Sequence, residues 1–465
     1  MQDGRWGETT GMEYATLNII YNVQKGLPCF HDLNQNATIP VYNYGFYSFY
    51  GLIARLVNVG DEQFMTFVRL MTLGFAVAAC TVMALWIKRT ISNWRNSGIV
   101  GIILAISVSI IICFGPFIGW FNLSARPDIP KASTELAGLA VAIMAFKRKN
   151  LFLFLCSAGI FALAWSFKQN AVFVFLGVLL SALLFHQWRF FILGSLTFIS
   201  FVALIFPLAG PFYIKHVFYV LGFFDYSLTS VIRQLQPAFL TGFYVLIPAI
   251  YIVCLILLSD VKAKSLFLLP WFLSGLGAIS CLSLVGTSRN QFFTFYFISG
   301  VVILYGVAKI LRGEICYRQR VNGLIALSIV IALGSILTLS YLVFPNRFGR
   351  ITVPVFPGRS PSQRHLYLSA PEPKFIENPF DALPWNSGQT PSESINTYFY
   401  FSLVERGLLK ETIEDRAHRG YYASAFVSSQ QFVQAFKSSE YKLVSLLPNG
   451  VWYFKQTAKT SSRNE

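Results

Sequence analysis

Ten apolar runs, most of them about as long as a bilayer core is thick, leave this chain of 465 residues few ways to fold. They fall at about 64–87, 98–118, 130–146, 151–166, 170–186, 190–209, 237–259, 265–285, 291–310 and 322–344. A helix needs roughly 20 apolar residues to cross the hydrocarbon core. The three runs between 130 and 186 are short, as expected of helices that are tilted, broken or buried by neighbours. Only 12% of residues are charged and 55% are hydrophobic, too few charges to cover a soluble protein of this size. The fold class expected is a polytopic α-helical membrane protein.

The net charge of +16 would suit a nucleic-acid binder only if it lay on one surface. It does not. The loops after the first, third, fifth, seventh and ninth runs carry 13 Lys and Arg against Asp260 and Glu314, whereas the short loops of the other side carry 10 against 9 acids. Basic residues thus crowd every second loop, which marks that side as cytoplasmic. Nucleic acid is excluded as a partner, and the membrane itself is the expected environment, the plasma (inner) membrane.

Residues 1–63 lack the apolar core of a signal peptide, yet this topology places them outside the cytoplasm. The expectation is a further transmembrane helix ahead of this sequence, eleven spans in place of ten. The organisation expected is a first extracytoplasmic loop over 1–63 with interfacial helices, a membrane domain over 64–344, an extracytoplasmic α+β domain over 345–456 and a disordered tail over 457–465. The last domain is read from one or two amphipathic helices in "INTYFYFSLVERGLLKETIEDRAHRG" and from the alternating stretches "YYASAFVSS", "YKLVSLL" and "VWYFKQT". Of seven cysteines only Cys29 faces outward, and no CxxC spacing suggests a metal or redox site.

Ionisable groups at the ends of spans are costly and mark functional cavities. Four places stand out, all on the outer side. Glu13 lies in "TTGMEYATLNIIYNVQKGLP", with a solvated surface acid as the alternative reading. Arg126, Asp128, Lys131 and Glu135 crowd "ARPDIPKASTELAG", where Arg126 and Asp128 would otherwise be an interfacial ion pair. Lys168, Gln169 and Asn170 separate two apolar runs, and a snorkelling lysine in a turn explains them as well. Arg289, Asn290 and Gln291 form the fourth. The aromatic run Tyr42 to Tyr50 suits either an interfacial helix or core packing.

The order of these motifs resembles the glycosyltransferase-C superfamily, in the bacterial branch of protein O-mannosyltransferases and lipid A aminoarabinose transferases. "MEYATLNIIYNVQKGLP" and "VYNYGFYSFYGLIARL" are similar to the first outer loop of those proteins, with Glu13 at the essential acid. "ARPD" looks like the "RPD" that opens a later span, "FKQNAV" like "KQ-T/x-A", and "SRNQFF" like a variant of "NYF". Two positions depart: Met12 precedes Glu13 where many members pair Asp with Glu, and Gly45 stands where Pro is common. The resemblance implies transfer of a sugar from a polyprenyl-phosphate carrier to an acceptor hydroxyl of a lipid, glycan or protein at the extracytoplasmic face. It implies Glu13 as base and Asp128 as a second acid. Arg126, Lys168 and Arg289 would serve the phosphate, and Asn290, Gln169 and Tyr44 the substrate. No cofactor and no metal ligand set is expected. The competing class is a transporter or flippase of lipid-linked saccharides, against which stand the absence of an inverted repeat and of a Gly/Pro-broken helix pair.

Overall fold

The computed structural model describes residues 10–33, 39–61, 63–91, 98–220, 226–257, 265–282, 289–311, 328–329, 332–337, 366, 369–371, 373–377, 393–394, 397–407, 409–427, 429–447 and 451–457. Nine of the ten apolar runs are helices there. They are α3 (Phe64–Ile91), α4 (Gly98–Phe114), α5 (Asp128–Arg148), α6 (Leu151–Phe167), α7 (Val172–Leu184), α8 (Trp188–Ala209), α9 (Leu228–Leu257), α10 (Ser265–Leu282) and α11 (Phe293–Leu311). Ahead of them stand α1 (Thr10–Gln24) and α2 (Tyr44–Leu56). The tenth run lies mostly outside the described residues.

Among the described residues, 64–86, 128–148, 188–209 and 238–257 are long and apolar enough to cross a membrane. Shorter apolar helices lie at 151–167, 169–184, 266–282 and 290–306. Their surroundings differ sharply. In the apolar window of α5, 72% of residues are buried by protein, against 11% in α8. So α5 is the central post, packed against α3, α6 and α11. The outward side chains of α8 (Ile192, Leu196, Ile199, Leu204 and Leu208) are exposed and suit lipid.

The α1–α2 layer, which the sequence expectation places on the outer side, caps one end of the helix bundle and is called the outer layer below. Phe46, Tyr47 and Tyr50 of α2 are fully buried while Leu52, Leu56 and Val57 on its other face are exposed. The aromatic run therefore packs inward, and the aliphatic side is the one left for the interface. Gly45 has a reason in this packing: a Cβ there would overlap the Ser166 hydroxyl at the end of α6. After α8 the chain turns through Gly210, at φ 85, into a π-turn at Lys215–Val220. That turn returns Tyr213 and Val217 to the core of the outer layer.

Past residue 365 the described chain forms a five-stranded sheet of order β2-β1-β3-β5-β4. The strands are β1 (Lys374–Ile376), β2 (Glu393–Ser394), β3 (Ser424–Val427), β4 (Tyr441–Leu446) and β5 (Trp452–Gln456). β1 runs parallel to β2 and β3, and the β3–β5 and β4–β5 pairs are antiparallel. Helices α12 (Thr397–Glu405), α13 (Ile413–His418) and α14 (Gln430–Lys437) accompany it. Thr412 and Asp415 form a capping box that starts α13. The core is aromatic, with Phe375, Tyr400, Tyr422, Phe432, Phe436 and Phe454 buried together. Leu403 of α12 leaves that core for the buried cluster of the α1–α2 layer, and Leu409 borders both.

Candidate active site

Two carboxylates organise the end of the helix bundle capped by α1 and α2, each in the first turn of its helix, where the positive end of the helix dipole favours an anion. Glu13 is only 2% exposed, which excludes the solvated-acid reading. Its Oε1 accepts from Arg69 Nε at 2.9 Å and from the Ala125 amide at 2.9 Å, and its Oε2 accepts from Arg69 Nη2 at 3.1 Å. That fork fixes α1 to α3, and the amide bond fixes both to the segment that leads into α5. One acceptor direction on Oε2 has no hydrogen bond among the described residues.

Asp128 opens α5 directly after Pro127 and is equally buried. Its Oδ1 accepts from Lys168 Nζ at 2.6 Å and from Asn290 Nδ2 at 2.8 Å. Arg126 Nε stands 3.5 Å from Oδ2, a charge contact without a hydrogen bond, so Oδ2 remains a buried acceptor with no hydrogen-bond donor among the described residues. Lys168 sits in extended backbone at the break between α6 and the 3-10 turn Gln169–Ala171. The break is what lets its side chain turn inward to Asp128, and a buried bond of this kind is not snorkelling.

Arg126 also donates to the Tyr42 hydroxyl, from Nε at 3.3 Å and Nη2 at 3.1 Å, and lies 5.4 Å from the centre of the Phe121 ring. Burial raises the Tyr42 phenol above its ordinary value, so it stays protonated and keeps a hydrogen to donate. One turn along, Lys131 Nζ pairs with Glu135 Oε2 at 3.2 Å, and Thr294 donates to the same oxygen at 2.5 Å.

The structure thus brings Glu13, Arg126, Asp128, Lys168 and Asn290 into one linked cluster contributed by α1, the head of α5 and the residues just before it, the α6–α7 break and the 3-10 turn Arg289–Phe292 ahead of α11. Gln169 follows Lys168 with its buried Nε2 unpartnered among the described residues. Beside it Asn170 donates to Gln291 at 3.0 Å. Tyr44 begins α2 and packs half-buried against the outer-layer core, and the tyrosine that meets Arg126 is Tyr42. The side chain of Arg289 lies outside the described residues. Among the described residues, no three His, Cys, Asp or Glu are grouped to hold a metal ion.

Three members were not singled out in the sequence. Arg69 is a lone cation in "FMTFVRLMTLGF", and its only signal was a full charge five residues inside a span. Tyr42 was hidden in an aromatic run. Asn43, which accepts from Tyr213 and donates to the Trp165 carbonyl at 2.7 Å, resembled a loop residue.

The arrangement is a bundle of apolar helices capped at one end by the α1–α2 layer, with a small α+β sheet following it in the chain. Two solved structures share it: ArnT from Cupriavidus metallidurans bound to undecaprenyl phosphate, and the same protein in the apo state. The first superposes with a TM-score of 0.59 at 13% identity, over 96% of this chain and 94% of that one. The second gives 0.57 at 14% identity, over 96% and 93%. The expected resemblance to the aminoarabinose-transferase branch is therefore met at the level of the fold. No family model and no curated relative matches the sequence.

Proposed function

We propose that the chain is an integral-membrane glycosyltransferase that moves a sugar from a polyprenyl-phosphate-linked donor to an acceptor hydroxyl at the extracytoplasmic face, with inversion. The observation that carries this is the buried cluster in which Glu13 and Asp128 stand with Arg126, Lys168 and Asn290, on a fold shared with a protein that binds undecaprenyl phosphate.

In this reading the acceptor hydroxyl donates to the open direction of Glu13 Oε2. Its oxygen attacks the anomeric carbon as the carbon–oxygen bond to the phosphate breaks, and its proton passes to the carboxylate. The leaving phosphate keeps the electron pair. Arg126 and Lys168 turn from Asp128 toward it as its charge grows, with Arg289 as a third candidate. Asp128 Oδ2 and Gln169 Nε2, an unfilled acceptor and an unfilled donor, suit sugar hydroxyls, with Asn290 positioning the first. The chemistry asks for no cofactor. The acceptor is a hydroxyl of lipid, glycan or protein.

The test is donor consumption by the full chain in detergent, where no gradient exists, offered a panel of polyprenyl-phosphate sugars with membrane lipids as acceptor. Glu13→Gln is expected to lower turnover at least 100-fold per folded molecule. Arg69→Met, run beside it, reports the clamp alone: removing one partner of a buried pair costs about 3 kcal/mol or more of stability but leaves the base in place. Full activity in Glu13→Gln moves the base elsewhere. Binding of every donor without consumption would favour the transporter reading.

A further inference from the structure

Far from Asp128, the same helix α5 borders a second feature. A cavity of about 400 Å³ opens between α3 and α5. Its walls are apolar, with Leu85 and Trp86 from α3 and Ala140 and Met144 from α5, and its mouth is formed by Lys147 and Arg148. Both cations are exposed. Small residues make the space: Ala137 and Ala140 stand on α5 where a Leu would close the seam. At 1.5 Å per residue, Lys147 lies about 28 Å along the helix from Asp128, so this cavity is separate from the cluster described above.

We infer that this groove binds a membrane phospholipid with an anionic headgroup, drawn from the leaflet opposite the candidate active site. An acyl chain lies along Trp86, Ala140 and Met144, and the phosphate meets Lys147 and Arg148. Charge complementarity selects the occupant. An apolar slot alone takes any acyl chain, but basic residues at the membrane surface each favour an anionic lipid several-fold over a zwitterionic one. The inference does not depend on the reaction at the other end of α5.

The experiment is native mass spectrometry of the delipidated full chain in detergent, supplied with dioleoylphosphatidylglycerol or dioleoylphosphatidylcholine. One or more phosphatidylglycerol adducts are expected to outlast the phosphatidylcholine adducts. Lys147→Gln with Arg148→Gln, a change confined to exposed side chains, is expected to weaken the phosphatidylglycerol adduct about five-fold per cation removed. Ala140→Trp, which fills the slot, is expected to abolish it. Equal retention of the two lipids, or an unchanged preference in the double variant, overturns the inference. So does displacement of phosphatidylglycerol by undecaprenyl phosphate, which would make the groove the seat of a prenyl chain.

Discussion

His216 shows what burial does to a single residue next to the candidate site. It is fully buried, its Nε2 donates to the His31 carbonyl at 2.7 Å, and its Nδ1 has no hydrogen-bond partner among the described residues. Burial holds its pKa down at about 3. In the unfolded chain an imidazole titrates near 6.5, so between these values only the unfolded chain takes the proton. Stability from this residue is therefore complete above about pH 6.5 and falls as the pH drops toward 3. The melting temperature of wild type is expected to fall between pH 7 and 4 by more than that of His216→Gln; parallel curves would contradict a buried neutral ring. At this scale the sequence was partly legible. Glu13, Asp128, Arg126, Lys168 and Asn290 were visible because charge or amide at the end of an apolar run is chemically conspicuous. Arg69 was not, because its partner lies 56 positions away and nothing local announces it.

At the scale of elements, close approach decides what each helix tolerates. A Cβ on Gly177 of α7 would stand 2.6 Å from Pro270 N in the backbone of α10, so the two helices meet main chain to main chain. Backbone cannot yield as a flexible side chain does. Gly177→Val is expected to abolish monodisperse expression or to lower the melting temperature by many degrees, whereas Gly74→Val, at a glycine with open space around it, should change little. A well-behaved Gly177→Val protein would show that α7 and α10 are not packed this way. Apolar length located nine helices to within a few residues except at the head of α9, which starts at Leu228, ahead of its apolar run. The face of α2 was beyond the sequence, since aromatic rings suit lipid headgroups and protein cores alike. Its partners on α1 and α6 settled the matter.

For the whole molecule, the informative contact is the one between the sheet and the outer layer. Leu403 and Leu409 bring α12 and its neighbours against the cluster that holds α1 and α2, and so toward the segment that carries Glu13. Leu403→Asp places a charge in that seam. It is expected to speed proteolytic release of the C-terminal sheet while leaving the membrane helices intact, and unchanged protease resistance would show that the seam does not hold the two together. Alternation revealed β3, β4 and β5, but the parallel strands β1 and β2 are too short to carry a period, and their pairing is a tertiary fact. The site also has a consequence when its residues are counted by charge. Among the described residues four cations, Arg69, Arg126, Lys131 and Lys168, stand in ion pairs with three carboxylates, Glu13, Asp128 and Glu135, so the positive groups outnumber the negative ones. Away from water such an excess is a standing invitation to a monovalent anion. For the proposed reaction, the intact phosphodiester donor brings the negative charge that this excess of cations favours, so the cluster is matched in sign to the carrier it would receive.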